Sequence, residues 1–228
     1  MPEIEISDLQ IDVTKACKTL SNHGLVILSE GNVSAINTSR DIVVIKASGQ
    51  PCHEADTAVV TLSGLVPLSI KKPSVDTVWH CGLYEAIPTL MSIAHTHSPY
   101  ATAFAQAGHT IPMLGTTHAD AFGACVEVTE AVEAPSYDEY NARLTLSIIA
   151  CYRPSVPAIL LAGHGVVAFG STPHEAADNA VLVEKVARLA YMTMVIHSFN
   201  FKVPEISSSV QRLHWQRKHG TDAFYGQV

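Results

Sequence analysis

Between residues 25 and 68 the chain carries three short runs rich in Val and Ile: "LVILSEGNVSAI", "DIVVIKASG" and "TAVVTLSGLVPL". Their β-branched side chains suit a pleated surface. With "NTSRD" as the turn between the first two, they predict antiparallel hairpins. Helical patterns lie around these runs and do not alternate with them. "SDLQIDVTKACKTLSNHG" places Leu9, Val13, Ala16 and Leu20 on one face, with Ser7 as N-cap and His23-Gly24 as the stop. "SYDEYNARLTLSIIACY" and the long stretch opening at Pro173 read as further helices. Clustered strands beside mixed helices predict an α+β chain, one domain over residues 1–228.

Bulk properties remove several classes of function. A net charge of −7 and a pI near 5.9 favour neither a nucleic-acid backbone nor an anionic membrane surface. No apolar run approaches the roughly 20 residues of a membrane span. The five cysteines are scattered without a C-x-x-C, which argues against a disulfide framework or a cysteine zinc cluster and predicts a cytoplasmic setting. The opening "MPEIEISDLQ" lacks the basic and apolar regions of a signal peptide. Twelve histidines nearly match the fourteen Lys and Arg, so metal or acid–base chemistry is the class to test first.

The stretch "SIAHTHSPY" sets His95 and His97 one residue apart at the end of an apolar run. On a strand both imidazoles project from one face. The pair is then either two solvated histidines at a strand end or half of a metal site. His164 is a candidate third ligand. It interrupts "AILLAGHGVVAFG" between two glycines that let the backbone turn and approach closely. Asp76, at the expected start of a helix, is a candidate fourth, although capping alone accounts for a carboxylate there. Three imidazoles and one carboxylate suit Zn²⁺ or a similar divalent ion. His80, one turn after Asp76, reads as packing, and His118 is ambiguous.

The blocks "GNVSAI", "IKASG", "KKPSVDT", "IAHTHSPYATAFAQAG", "IPMLGTTHAD", "GHGVVAFG" and "RKHGTDAFYGQ" resemble, in the same order, those of the class II aldolase and epimerase superfamily. The resemblance spans about residues 8 to 227 and is strongest to its L-ribulose-5-phosphate 4-epimerase branch. It implies a three-layer α/β/α fold around a mostly antiparallel sheet, and a homotetramer with active sites at subunit interfaces. By matching position it implies a divalent ion, usually zinc, on Asp76, His95, His97 and His164. The implied reaction interconverts L-ribulose 5-phosphate and D-xylulose 5-phosphate, a step of arabinose catabolism and pentose phosphate metabolism. Because C4 carries no acidic proton, the C3–C4 bond breaks and re-forms on the other face of the aldehyde. An acid–base group is then needed on each side of C4. Asp120 and Tyr225 match these two residues. Gly31, Asn32, Lys46, Ser48, Gly49 and Ser74 match substrate- and phosphate-binding positions, with Thr116 and Arg217 also near the site.

Two departures from the family pattern bear on the substrate. Val75 stands where a second serine is usual; a hydroxyl bonded to a charged phosphate oxygen is worth roughly 1.5–3 kcal/mol. Asn141 replaces the second glutamate of a Glu-Tyr-Glu run. The alternatives are an aldolase of the same superfamily, acting on a substrate such as L-fuculose 1-phosphate, and a non-catalytic adducin-like scaffold.

Overall fold

The computed structural model describes residues 6–198, 206–221 and 223. Six strands form one antiparallel sheet: β1 (Asn32–Ile36), β2 (Ile42–Lys46), β3 (Thr57–Thr61), β4 (Ser92–Thr96), β5 (Ala158–Leu161) and β6 (Gly165–Gly170). Their order is β3-β2-β1-β4-β6-β5, and every neighbouring pair is antiparallel. The helices are α1 (Ile6–Asn22), α2 (Thr77–Ala86), α3 (Pro99–Gln106), α4 (Thr116–Ala121), α5 (Tyr137–Cys151), α6 (Pro173–Ser198) and α7 (Ser208–His219). No described helix is long and apolar enough to cross a membrane.

Period-two alternation divides the apolar side chains between two cores, one on each face of the sheet. Val44, Ala94, Leu160, Val166 and Ala168 pack with α1, α3 and α6. Their neighbours Val43, Ile93, Ile159, Val167 and Phe169 pack with α2 and α5. The result is the expected three-layer arrangement, and it fixes the side on which the site lies. His95 and His97 follow Ile93 in parity and so face the α2/α5 layer, as does Asn32, the register partner of His95.

Local expectations were met unevenly. α6 opens at Pro173, and α5 is capped by the Ser136 side chain, which accepts from the Glu139 N–H at 3.2 Å. The first predicted strand is shorter than its apolar run, because only Asn32–Ile36 pairs. Leu28 and Gly31 take positive φ, which breaks the extended backbone ahead of β1. Ser7 lies within α1, which is described from Ile6 onward. Glu184 of α6 accepts from the backbone N–H groups of Tyr100 and Ala101, both at 3.0 Å, which anchors the chain where it leaves the histidine strand.

His118 is buried on α4, and its Nε2 bonds the Ala124 carbonyl at 3.1 Å. Burial pushes this imidazole down to about 4, with the Ala124 and Pro112 carbonyls opposing in part. The unfolded chain therefore binds a proton between pH 6.5 and 4 that the folded one refuses, so stability is lost as pH falls across that window. Taking pH from 7 to 5 is expected to cost about 2 kcal/mol through this residue. Chemical denaturation of His118→Gln at both pH values should show a flatter acid limb than wild type; an equal slope refutes the assignment.

Candidate metal centre and cavity

His95 sits deep in the sheet with 1% of its surface exposed, and its Nδ1 lies 2.9 Å from the Val166 carbonyl. A carbonyl only accepts, so Nδ1 carries the proton and Nε2 presents a bare lone pair. That lone pair is 3.1 Å from Nε2 of His97. His164 reaches the same point from the turn between β5 and β6, and one ligand nitrogen from each of the three lies within 4.8 Å of the others. At 3.1 Å one of the His95 and His97 rings can donate to the other, and the third imidazole brings a further nitrogen to the same point, where a cation could accept all three lone pairs. Zn–N bonds of about 2.0–2.1 Å in a tetrahedron set nitrogens just over 3 Å apart. The donor set therefore fits a divalent ion.

The outer nitrogens are held as well. Nδ1 of His164 is 3.2 Å from the Tyr140 hydroxyl, and Nδ1 of His97 is 3.6 Å from Glu30 Oε2. Glu30 is itself fixed by the Ile27 N–H, which donates to Oε1 at 2.6 Å. Burial pushes His95 down to about 4 and also lowers His164, so both stay neutral, the form a metal requires.

Asp76 stands beside the trio but outside its closest cluster. It makes no capping bond. Its Oδ2 accepts from Asn32 Nδ2 at 2.7 Å and its Oδ1 from Trp79 Nε1 at 3.1 Å, which leaves each oxygen a second lone pair. Burial opposes its ionisation, yet the carboxyl is lowered: with His95 and His80 uncharged at neutral pH, the Trp79 and Asn32 N–H donors hold the carboxylate. Asn32 adds a buried Oδ1 without a hydrogen-bond partner among the described residues. His80 is wholly buried, with Nδ1 at 2.6 Å from Ser34 Oγ.

A cavity of about 530 Å³ opens over these groups. Gly31, Asn32, Lys46, Ser48, Gly49, Ser74, Asp76, His95, His97 and His164, all singled out in the sequence, line it. So do Val75, the departure noted above, and four residues that sequence reasoning missed: Ser29, Glu30, Tyr137 and Tyr140. Lys46 is almost fully buried; it donates to the Ser29 and Gln50 carbonyls at 3.0 and 2.6 Å. Gly31 has φ +65°, and a Cβ there would fall 2.8 Å from the His95 carbonyl, so the loop can lie this close only with glycine.

Among the described residues, three predicted ones, Thr116, Asp120 and Arg217, are not among those lining the cavity. Thr116 begins α4, and Asp120 on the same helix is gripped by α7. Arg217 donates to it through Nε at 3.0 Å and Nη2 at 2.7 Å, and His214 Nδ1 lies 3.1 Å from it. Burial works against ionisation of Asp120, and the hydrogen bonds from Arg217 and His214 outweigh it, so its carboxyl is lowered. Tyr225 lies outside the described residues.

Residues 11–191 match the class II aldolase and adducin N-terminal domain. The chain belongs to this family. Among solved structures it is similar to an L-fuculose 1-phosphate aldolase at 20% identity and TM-score 0.76, covering 94% of this chain and 97% of that one. The L-fuculose-1-phosphate aldolase of Thermus thermophilus shares 21% identity at TM-score 0.65, with 84% and 96% covered. These two establish the class II aldolase fold. YgbL of Klebsiella pneumoniae, a candidate aldolase, epimerase or decarboxylase, shares 25% identity at TM-score 0.75, with 92% and 99% covered.

Proposed function

We propose that this class II aldolase-family chain is a metal-dependent enzyme that breaks and re-forms a carbon–carbon bond of a sugar phosphate. Its reaction in this reading is the 4-epimerisation of L-ribulose 5-phosphate. The observation that carries the proposal is the convergence of three imidazole nitrogens, beside the Asp76 carboxylate, in a cavity also lined by Lys46 and the Ser48-Gly49 and Ser74 loops. Asp76, His95, His97 and His164 would hold a divalent ion, zinc foremost. When bound, the ion supplies Lewis-acid stabilisation of the negative charge that C3–C4 cleavage leaves on oxygen.

The protein's own groups set up the rest. Lys46 spends two of its three N–H donors on backbone carbonyls and keeps a third for a phosphate oxygen. Ser48, Gly49, Ser74 and Asn32 supply neutral donors, while Val75 offers none. Asp120 and Tyr225 are assigned as the acid–base pair on either side of C4. Because Asp120 does not line its own chain's cavity, it would serve the cavity of a neighbouring copy in a homotetramer, with Arg217 and Thr116 beside it. The exposed apolar run at the end of α6, including Leu189, Tyr191, Met194 and Ile196, supports such association. Five free cysteines suit a cytoplasmic setting.

A second reading, an aldolase that releases the aldehyde, draws on the fuculose-phosphate aldolases of the same fold. The converging histidines weigh against an adducin-like scaffold. Incubating the purified protein with L-ribulose 5-phosphate, with and without chelator, separates these. Chelator-sensitive D-xylulose 5-phosphate is the expected product. Free glycolaldehyde phosphate, or turnover of L-fuculose 1-phosphate alone, would establish the aldolase. No turnover together with no bound metal would leave the scaffold.

A further inference from the structure

Tyr140 belongs to none of the substrate or metal positions discussed so far, yet its hydroxyl touches His164 and its side chain lines the cavity. It lies on the first turn of α5, where Tyr137 stacks against it with ring centroids 5.9 Å apart and planes 19° from parallel. The stack limits where the ring can go, so the hydroxyl is held at His164 by packing as well as by its own bond.

A neutral imidazole has one N–H. If His164 binds a metal through Nε2, its proton must sit on Nδ1, and Nδ1 must donate. The Tyr140 oxygen, 3.2 Å away, then becomes the acceptor. Its own O–H can no longer point along that axis. It must turn elsewhere, and the open side of the ring is the cavity. We propose that metal loading aims the Tyr140 O–H into the cavity, where it donates a hydrogen bond to an oxygen of the metal-bound ligand. Tyr140 thus positions His164 and touches the ligand. The inference rests on the reading of the three histidines as a metal site. It gives the chain a donor of its own at the reacting centre, separate from Asp120 and Tyr225.

The test uses the full-length protein and Tyr140→Phe, which keeps the ring and its stack. Zinc affinity is measured by competition with a chromophoric chelator. Acetohydroxamate, a bidentate oxygen ligand for the metal, is then titrated calorimetrically at saturating zinc. Equal thermal midpoints of the two metal-free proteins would verify that packing is intact. Loss of the outer partner is expected to weaken zinc binding about tenfold. Loss of the donor should weaken acetohydroxamate a further five- to tenfold, roughly the worth of one hydrogen bond. Weaker zinc with unchanged acetohydroxamate affinity at full occupancy would overturn the donor and leave only positioning. Wild-type behaviour in both titrations would overturn the inference while the metal reading stands. Failure of the wild-type protein to bind zinc would overturn both.

Discussion

His95→Asn is expected to abolish zinc binding and reduce turnover to background, the largest single effect in the molecule. His95 is the deepest of the three imidazoles, and its tautomer is fixed by the Val166 carbonyl at 2.9 Å. Asparagine is too short to satisfy that carbonyl and reach the other two rings together. Removing only an outer partner of a ligand costs roughly 10- to 100-fold in metal affinity, so removing the ligand itself should cost more. The direct readout is thermal. A ligand at about 1,000 times its Kd stabilises the folded state by about 4 kcal/mol, so wild type should gain several degrees on zinc addition and the variant none. The metal-free variant will also be less stable: Asn Nδ2 stands where Nδ1 stood and can keep the Val166 bond, but the space of the missing ring atoms in this buried position is left unfilled. The test therefore lies in the difference between zinc-free and zinc-loaded midpoints, and not in either alone. An undiminished zinc shift in His95→Asn would sink the metal assignment.

The parts of this site that were legible in the sequence follow short-range rules. Period two places His95 and His97 on one face, and the paired glycines flag His164 as the point where a strand turns back. Neither rule states which layer the face meets; that depends on the parity of Ile93, Val167 and Ile159 against α2 and α5, which is a property of the assembled sheet. Tyr140 lay hidden for a similar reason. An aromatic at i and another at i+3 on a helix read as packing, and the contact with His164 spans 24 residues with no local mark. The Asp120–Arg217 pair spans 97 residues, so the sequence could offer both residues without showing that they neutralise each other. In residues 25–31 the apolar run suggests a strand, but Leu25 and Val26 are buried while Ile27 and Leu28 face solvent. The positive φ values at Leu28 and Gly31 that produce this split carry no signature in a Val/Ile/Leu stretch.

Gly165→Ala should show how tightly the backbone clasps the histidines. A Cβ at Gly165 would lie 2.6 Å from the Thr96 carbonyl, 2.7 Å from His97 Cδ2 and 3.4 Å from His95 Cε1. All three neighbours belong to the segment that presents the imidazoles, so relief of the clash must come by moving a ligand or by opening the β4–β6 ladder. Overpacking of this kind costs about 1–3 kcal/mol in stability. The functional loss should be greater, since displacing a catalytic group by about 1 Å can cost about 100-fold. Gly163→Ala is the informative comparison. Gly163 has φ +68° with no described residue within 4 Å of its would-be Cβ, so alanine there strains the backbone by about 1–2 kcal/mol without touching an imidazole. The two variants should therefore unfold at similar temperatures while only Gly165→Ala loses zinc affinity and turnover. If both retained zinc like wild type, the close contacts around Gly165 would be packing alone. If both lost it equally, the loop as a whole, and not the clasp at Gly165, would set the geometry of the centre.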